Sequence, residues 1–557
     1  MTERKDHSYI PTLKKNFAEG KIDRREFLRT STLLGLSAGA AYAFVGKVTG
    51  ESFVPRAKAA MPQGGTMRLA LRVIDIKDPH TFQWVRDSNV ARQTVEYMSK
   101  TGTDNVTRPS LLESWEASDD LKTWTLNVRK GVKWHNGRGL DADDIIWNLN
   151  HVLDAKTGSS VLGLMKGYML EEYDTGEKDD KGAAKMSTRL WDANAIEKVD
   201  SHTVRLNAKE AQLAVPEHLF HYPFPVLDPE EGGKFGPGSN GTGAFNLVEH
   251  DIGKKSVLTA RKDYWGDGPN IDRLEYLDLG DDPAAALAAL ASKQVHGSGE
   301  VLQILSLDAV KALPHLQIHE VATAQTAVVR GKVGVAPWDD PRVMKALRLA
   351  TDTPKILQLA YRGLGAPGEH HHVCPIHPEY AKLPFMSQDI AAAKALLAEA
   401  GHPGGIDAKI DLNGSENWEV NAAQGMKEQW NQAGFRIDLN VLPGAQFWEI
   451  WAKTPFGMTS WTHRPLGVMV LGLAYRKGVP WNESDFDNPR FDALLTKAEG
   501  ILDVDARREV MVELQTIMQE EGPIVQPLWR AIFTAMDKRV QGFAMHPTNY
   551  LFANEWA

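Results

Sequence analysis

The apolar and polar positions between residues 111 and 153 follow two different periods. Trp124, Leu126 and Val128 alternate with polar residues, which is the period-2 pattern of a half-buried strand. Lys130 and Gly131 then indicate a short turn. We therefore predict a hairpin in which residues 132–134 return beside this strand.

A capped amphipathic helix is predicted directly after this hairpin. Asp141 has a side chain suited to an N-cap, and Asp144 falls at the third helical position. Apolar residues then recur at helical spacing from Ile145 to Leu153. The pattern places one side of this helix against a core.

Other elements are predicted from local signals along the chain. The apolar run 67–76 is typical of an opening strand. Thr353 is a candidate N-cap with Pro354 at the first helical position. A further helix is predicted to begin after Ser387 and to end just before Gly401.

A long connection rich in glycine and proline occupies residues 228–243 and ends in Gly-Thr-Gly. A glycine-rich loop can cradle phosphate, but no Lys-Ser or Lys-Thr follows and the glycines are not spaced as G-x-G-x-x-G. We therefore interpret this loop as a turn and not as a nucleotide site.

The order of particular residues in this region carries a family signature. Residues 113–120 read ESWEASDD, residues 129–137 read RKGVKWHNG and residues 140–145 read LDADDI. This run resembles the signature of the family 5 extracellular solute-binding proteins, the dipeptide, oligopeptide and nickel receptors of ABC importers. Further landmarks of that family follow in the same order, at residues 241–248, 261–266, 337–347 and 393–401.

The resemblance extends from about residue 65 to about residue 542 and implies an α/β, two-lobed periplasmic-binding-protein fold with an extra small domain inserted in the first lobe. It implies a first lobe of residues 60–99, 194–330 and 531–557, an inserted domain of residues 100–193 and a second lobe of residues 331–530. The chain would then cross between the lobes near Gly331 and Arg530, and these crossings would form the hinge.

The function implied by the resemblance is capture of a solute by hinge closure, because a ligand that contacts both lobes favours the closed state. The expected partners are the solute and the permease and ATPase subunits of an ABC importer. No catalytic residue, enzyme activity, cofactor or metal is expected, and a monomer is expected. Residues 60–557 carry 52 Lys or Arg and 66 Asp or Glu, so nucleic acid is not expected as a partner.

The N-terminus has the features of an export signal. Residues 23–29 read DRREFLR, an uncharged stretch covers residues 30–46, and Ala57-Lys58-Ala59 offers a small-x-small cleavage site. Residues 1–59 are therefore predicted to be a twin-arginine signal peptide, cleaved near Ala59 to release a periplasmic protein. The alternative is a membrane anchor, but 17 residues rich in Gly, Ala and Ser are short for a span of about 20.

Ligand preference is where this chain departs from the peptide receptors it resembles. Those receptors have a W-x-x-DYPDP motif in the second lobe, and its Asp is associated with the amino group of the ligand. Residues 461–465 here read WTHRP, with His463 and Arg464 in place of the acid. A guanidinium favours carboxylates through paired hydrogen bonds, so we predict that Arg464 and His463 bind an acid-bearing solute. The alternative is that Arg464 pairs with a neighbouring Asp or Glu.

Aromatic residues are dense around this motif and can form the wall of a largely apolar pocket. Each could equally belong to a core. We predict ligand contact for Trp461, which adjoins the altered motif, and for Trp481, which lies in a Gly-Val-Pro-Trp loop. The other candidates are Phe447, Trp448, Trp451, Phe456 and Tyr475.

The chain has one cysteine, Cys374, so no internal disulfide can form, and it lies beside a group of histidines at residues 370–377. Imidazole and thiolate suit nickel, zinc or copper, which leaves a nickel-chelate receptor as an alternative. We predict that His371 and His372 contact cargo from this loop. A Cys/His hydrolase with Cys374 as nucleophile is the remote alternative.

Overall fold

The computed structural model describes residues 6–51, 61–178, 182 and 184–557. The helices are α1 Ile10–Ala18, α2 Arg24–Leu33, α3 Ala38–Thr49, α4 Val85–Ala91, α5 Ala142–Leu153, α6 Val161–Met169, α7 Val215–His218, α8 Pro283–Ala291, α9 Leu307–Lys311, α10 Pro341–Leu349, α11 Thr353–Tyr361, α12 Ile390–Glu399, α13 Asn417–Ala433, α14 Gly444–Ile450, α15 Gly467–Tyr475, α16 Pro489–Glu499 and α17 Val504–Glu520.

The strands are β1 Thr66–Ala70, β2 Ser99–Thr101, β3 Thr107–Pro109, β4 Leu112–Ala117, β5 Thr123–Val128, β6 Leu170–Lys178, β7 Ala184–Leu190, β8 Ile196–Asp200, β9 Thr203–Asn207, β10 Phe245–Asp251, β11 Lys255–Ala260, β12 Arg273–Leu277, β13 Gly297–Ser298, β14 Leu316–Gly331, β15 Gly365–Pro367, β16 Ile406–Asn413, β17 Phe435–Leu442, β18 Phe456–Trp461, β19 Ile524–Val525 and β20 Leu528–Asp537.

The largest sheet in the described part of the chain joins the two halves of the molecule. Its order is β10-β11-β12-β1-β13-β20-β14-β18-β16-β17, with β15 and β19 paired to β20 and β14. On one side β1 runs parallel to β12 and β13, and on the other side β16 runs parallel to β17 and β18. Two parallel blocks flanked by helices confirm the predicted α/β, two-lobed fold.

Strands β14 and β20 belong to both halves. The first part of β14 pairs with β20 as far as Ala322, and a register shift follows before Gln325. From Thr326 onwards β14 also pairs with β18 of the second half. The partners of β14 therefore change opposite Arg530, some residues before the predicted crossing at Gly331.

A separate four-stranded sheet has the order β4-β5-β9-β8. Strand β5 and the turn at Gly131 are as predicted, but the predicted hairpin with residues 132–134 is wrong. Strand β5 pairs with β4 and β9 instead, and Lys133 forms only an isolated bridge with Gly139. Strands β8 and β9 complete this sheet, which therefore extends past residue 193 to Asn207.

The predicted helix after residue 141 is confirmed with its cap. The side chain of Asp141 accepts hydrogen bonds from two backbone amides of α5, and Asp144 completes a capping box. The two other predicted N-caps are wrong by one or two residues. Asp352 caps α11 instead of Thr353, and Asp389 caps α12 instead of Ser387. In both cases a carboxylate close to the helix start accepts the free backbone amide.

The Gly-Thr-Gly loop packs against neighbouring backbone. A Cβ at position 241 would lie 1.9 Å from the carbonyl oxygen of Thr94, and a Cβ at position 243 would lie 2.6 Å from that of Gln93. Only glycine allows this approach, which gives these residues a packing role in place of phosphate binding.

The N-terminal residues assigned to a signal peptide contribute three helices to the described chain. Helix α2 contains most of the twin-arginine motif and is buried from Glu26 to Leu33. Glu26 pairs with Arg29 at 2.9 Å, and the indole of Trp115 donates to the carbonyl oxygen of Leu33 at 2.8 Å. The predicted cleavage site at residues 57–59 lies outside the described residues. Of the helices described, none combines the length and apolar character that crossing a membrane requires.

Candidate functional site

A cleft lies where the carboxyl ends of the two parallel blocks face each other. Strands β1, β12 and β13 end beside the first wall, and β16, β17 and β18 end beside the second. Residues directly after these strands line adjoining cavities, including Glu300 after β13, Ser415 after β16 and Thr462 after β18. In open α/β sheets this edge is where ligands bind. We take the cleft as the candidate ligand site.

The narrow end of the cleft, a cavity of about 30 Å³, is lined largely by aromatic rings. Trp448 and Trp84 meet edge to face with ring centroids 3.9 Å apart, and these residues come from opposite halves. The remaining rings continue around the cavity at centroid distances of 5.8 Å for Trp448–Trp451, 6.3 Å for Trp451–Trp481, 5.9 Å for Trp461–Trp481 and 6.1 Å for Tyr222–Trp481. Both predicted tryptophans, Trp461 and Trp481, therefore lie at the cleft.

Arg464 also borders this aromatic cavity. Its guanidinium carbon lies 5.4 Å from the centre of the Tyr222 ring, and one terminal nitrogen donates to the hydroxyl of Thr462 and to the carbonyl oxygen of His463. Its Nε is buried without a hydrogen-bond partner. Within the part of the chain that the structure describes, no carboxylate lies within 4.0 Å of it. The ion pair that would have neutralised Arg464 is therefore absent from those residues.

Two histidines hold the backbone around Arg464. His463 is buried, its Nδ1 accepts from the amide of Ala324 at 3.1 Å, and its Nε2 lies 3.0 Å from Oδ1 of Asn105. His377 Nε2 lies 3.1 Å from the carbonyl oxygen of Arg464 and is placed to donate to it. Both ring nitrogens of His463 are thus engaged within the protein, and His463 is not part of the wall of the aromatic cavity.

The predicted cargo contacts His371 and His372 are both buried in the core, and His372 lies behind Trp461. His372 Nδ1 is 2.6 Å from the hydroxyl of Tyr475, and its ring centroid is 5.5 Å from that of Trp461. His371 accepts from the amide of Val373. Burial lowers the pKa of His371 to about 3 and that of His372 well below its usual value, so both rings are neutral at pH 7. Neither side chain borders the cavities of the cleft that are described above.

Cys374 does not resemble a nucleophile. Its thiol is buried, lies 3.8 Å from the carbonyl oxygen of Thr323, and has a pKa raised by burial to about 12. A thiol becomes nucleophilic as the thiolate, which this environment disfavours.

The wide end of the cleft, a cavity of about 120 Å³, has charged and polar side chains in its wall beside the apolar ones. Glu416 lies 3.5 Å from Arg530, whose guanidinium also donates to Gln325. Glu300 lines the same cavity and accepts the backbone amide of Arg72. This end can therefore accept polar groups, whereas the narrow end offers rings and one cation.

Glu419 modifies the charge beneath the cleft. Its carboxyl group is buried and accepts a hydrogen bond from the hydroxyl of Ser460. Ser460 lines both cavities of the cleft. Burial, and then repulsion from Glu416, raises the pKa of Glu419 to about 8. Glu419 is therefore protonated at neutral pH and leaves the floor of the cleft less negative, which suits an anionic ligand.

We expect the raised pKa of Glu419 to make the protein less stable as the pH rises from about 4.5 to about 8. Between these pH values Glu419 is protonated in the folded state and ionised in the unfolded state. Its contribution to the free energy of unfolding is therefore fully present below the unfolded-state pKa and is lost as the pH rises through the folded-state pKa. Glu419→Gln should remove this pH dependence. The change in the free energy of unfolding between pH 5 and pH 8 should therefore differ by a few kcal/mol between wild type and variant. Urea unfolding at both pH values measures it, and an equal difference at the two would contradict the assignment.

Several cleft residues carried no signal in the sequence. Trp84 and Tyr222 face the second lobe from the first, yet neither lies in a landmark of the family. The rule that ligands bind at the carboxyl ends of strands would have directed attention to the residues after β1, where Trp84 lies. Tyr222 lies far from any strand of the parallel block, and no local pattern identifies it.

Two opposed parallel blocks, joined by two shared strands and enclosing a cleft, define a two-lobed solute-binding protein. Solved structures share this fold. The binding protein AgaA from A. tumefaciens R10, in complex with agropinic acid, has a TM-score of 0.77 at 20% identity and covers 88% of this chain and 98% of its own. The ABC transporter-associated periplasmic binding protein DppA from Helicobacter pylori, in complex with the peptide STSA, has a TM-score of 0.75 at 16% identity and covers 89% of this chain and 98% of its own.

The chain belongs to the bacterial extracellular solute-binding proteins, family 5, whose middle-region profile matches residues 107–465, more than half of its length. A curated relative, Heme-binding protein A of Haemophilus influenzae, is 24% identical over 492 residues, which cover 83% of this chain and 85% of the relative. The family expected from the motifs is therefore confirmed.

Proposed function

We propose that this protein captures a mid-sized, acid-bearing organic solute, peptide-like or otherwise, between its two lobes. The observation that carries the proposal is Arg464, a nearly buried cation that borders the aromatic cavity with no carboxylate partner among the described residues. An uncompensated buried charge is unfavourable, and an anionic group of the ligand would relieve that penalty. The protonated Glu419 below the cleft adds to this preference.

The aromatic rings supply the remainder of the recognition that we propose. Trp461 and Trp481 would pack against the apolar part of the solute, and Trp84 would contact it from the opposite lobe. His463 and His377 act as supports for the Arg464 segment in this proposal, and His372 acts as a support for Trp461. His371 packs against Tyr380 instead. AgaA was solved with agropinic acid, an acid-bearing solute, which agrees with this class of ligand.

The solute would then be delivered to the permease and ATPase of an ABC importer, and the protein itself would have no enzymatic activity. The association of DppA with an ABC transporter supports this step. Export by the twin-arginine pathway and cleavage near Ala59 are proposed from the residue 23–29 motif, the uncharged stretch after it and the small-x-small site at residues 57–59. The hinge would lie where β14 changes partners opposite Arg530.

The nickel-chelate and hydrolase alternatives receive less support. A nickel chelate held by the residue 370–377 cluster would need imidazoles that face the cleft, whereas His371 and His372 are buried, His372 behind Trp461. A hydrolase would need a reactive Cys374, whose pKa is raised to about 12.

Mass spectrometry of small molecules released from the purified protein tests the proposal. We expect a recovered solute that carries at least one carboxylate or comparable anionic group and that raises the melting temperature when it is added back. Recovery of a neutral or purely cationic solute that binds tightly would contradict the proposal.

The contact between Trp84 and Trp448 should stabilise the closed state, because these rings come from opposite lobes and meet at 3.9 Å. An aromatic pair contributes about 0.5–1.5 kcal/mol, so Trp84→Ala should weaken solute affinity by roughly 2- to 10-fold. Small-angle scattering should show a more open solute-free protein. Trp191→Ala, a half-buried tryptophan of the inserted domain, is the matched control, and an equal affinity loss in both variants would contradict a role in closure.

A further inference from the structure

Three metal-ligating side chains converge outside the cleft, in the first half of the molecule. Donor atoms of Asp78, His80 and His151 lie within 4.8 Å of one another. Asp78 and His80 belong to the turn after β1, and His151 lies on α5 of the inserted region. No other such group of three occurs in the described ranges, and the residue 370–377 cluster does not converge in this way.

His80 is held in the orientation of a metal ligand. The residue is fully buried, and its Nε2 donates to the carbonyl oxygen of Pro225 at 2.8 Å. That bond places the ring proton on Nε2 and leaves a lone pair on Nδ1, which is buried and has no hydrogen-bond partner in the described chain. Fixing of the tautomer by a backbone carbonyl is the usual outer support of a ligating histidine.

The other two side chains face the same point. Oδ2 of Asp78 lies 2.8 Å from Nε2 of His151, while Oδ1 of Asp78 accepts the backbone amide of His80 at 2.8 Å. Trp147 stacks on the His151 ring at a centroid distance of 4.7 Å and fixes its plane. Both Asp78 and His151 keep 24% of their side-chain surface exposed, which leaves a path for an ion.

The chain closes over this cluster at a glycine. A Cβ at Gly233 would lie 2.8 Å from Oδ2 of Asp78 and 3.0 Å from Nε2 of His151, and Gly233 has a φ of +83°. A side chain at this position would therefore occupy the space between the two donor atoms. The glycine keeps that space open.

We propose that Asp78, His80 and His151 form a binding site for a divalent transition metal of the zinc class. Two imidazoles and one carboxylate are the ligand set that Zn²⁺ accepts, with water in the fourth position. Bonds of about 2.0–2.2 Å place tetrahedral ligands about 3.4 Å apart. Asp78 and His151, whose donor atoms are 2.8 Å apart, would therefore separate slightly to admit the ion, and the more distant donors would move closer. The ion would join the turn after β1 to α5 and so fasten the inserted region to the first lobe.

Titration of the chelator-treated full chain with ZnCl₂ and CoCl₂ tests the site. We expect one equivalent of Zn²⁺ to bind, Co²⁺ to give the visible absorption of a tetrahedral complex, and Zn²⁺ to raise the melting temperature. His151→Ala and, separately, Asp78→Asn should weaken Zn²⁺ binding at least about 10-fold and abolish that rise. Because both residues are partly exposed, these variants should remain folded, which circular dichroism without metal verifies.

Two controls separate this site from other histidines. His202→Ala changes a histidine on the β8–β9 turn, and Cys374→Ser changes the only cysteine; both should bind Zn²⁺ as the wild type does. Binding well below one equivalent, or equal Zn²⁺ affinity in His151→Ala and the wild type, would overturn the proposal. Loss of binding in Cys374→Ser alone would also overturn it, in favour of the residue 370–377 cluster.

Discussion

Arg464→Gln should lower the affinity for the recovered acid by about 100-fold, close to 3 kcal/mol, because it removes a nearly buried cation from beside the anionic group of the ligand. Glutamine can still bond to the backbone around Thr462, so the wall of the cavity should remain in place. Isothermal titration gives the affinity, and thermal melting in the absence of solute verifies that the variant is folded.

Two further variants sharpen the Arg464 experiment. Arg464→Lys keeps the charge and loses the planar pair of donors, so an intermediate loss of about 10-fold is expected. Arg436→Gln is the matched control, since Arg436 is exposed in the same lobe and pairs with Asp407 at 2.6 Å. An unchanged affinity in Arg464→Gln would exclude Arg464 as the ligand's partner.

Glu483→Ala should destabilise the protein by about 3–5 kcal/mol, because it leaves Arg330 buried without its counter-charge. Oε2 of Glu483 accepts from Nε of Arg330 at 3.0 Å, and neither side chain has more than 3% of its surface exposed. Oε1 accepts from the indole of Trp461 at 3.0 Å, so the same carboxylate holds a wall of the cleft. Urea unfolding at pH 7 measures the loss, and a value below about 1 kcal/mol would contradict the account.

The double variant Arg330→Met with Glu483→Leu separates stability from binding. Replacement of both charges by apolar groups of similar size should restore most of the stability. Solute affinity should nevertheless remain lower than in the wild type, because the Trp461 indole still lacks its acceptor. Restoration of both properties together would mean that Trp461 does not depend on Glu483.

The sequence predicts those parts of the fold that local patterns or family landmarks specify. The Asp141 capping box and the alternation in β5 are set by neighbouring residues, and both were found. Strand β5 has two partners, and only β4 is its neighbour in the chain. The pairing with β9 has no local signal, because β9 lies about 80 residues beyond β5.

The candidate site was predictable only in part, for the same reason. Trp461, Trp481 and Arg464 stood out because they lie in or near an altered motif of one lobe. Trp84 and Tyr222 complete the cavity from the other lobe, and no local pattern can show which residues will face each other across a cleft. His371 and His372 have the chemistry of ligands, but packing in the core buries them, and sequence spacing does not report burial.

The most direct test of the central claim compares the recovered acid with its methyl ester by isothermal titration against the wild type and Arg464→Gln. Recognition of the anionic group by Arg464 predicts that the wild type prefers the acid by about 100-fold and that the variant binds acid and ester about equally. Equal affinity of the wild type for acid and ester would contradict the claim that this cleft selects an acid through Arg464.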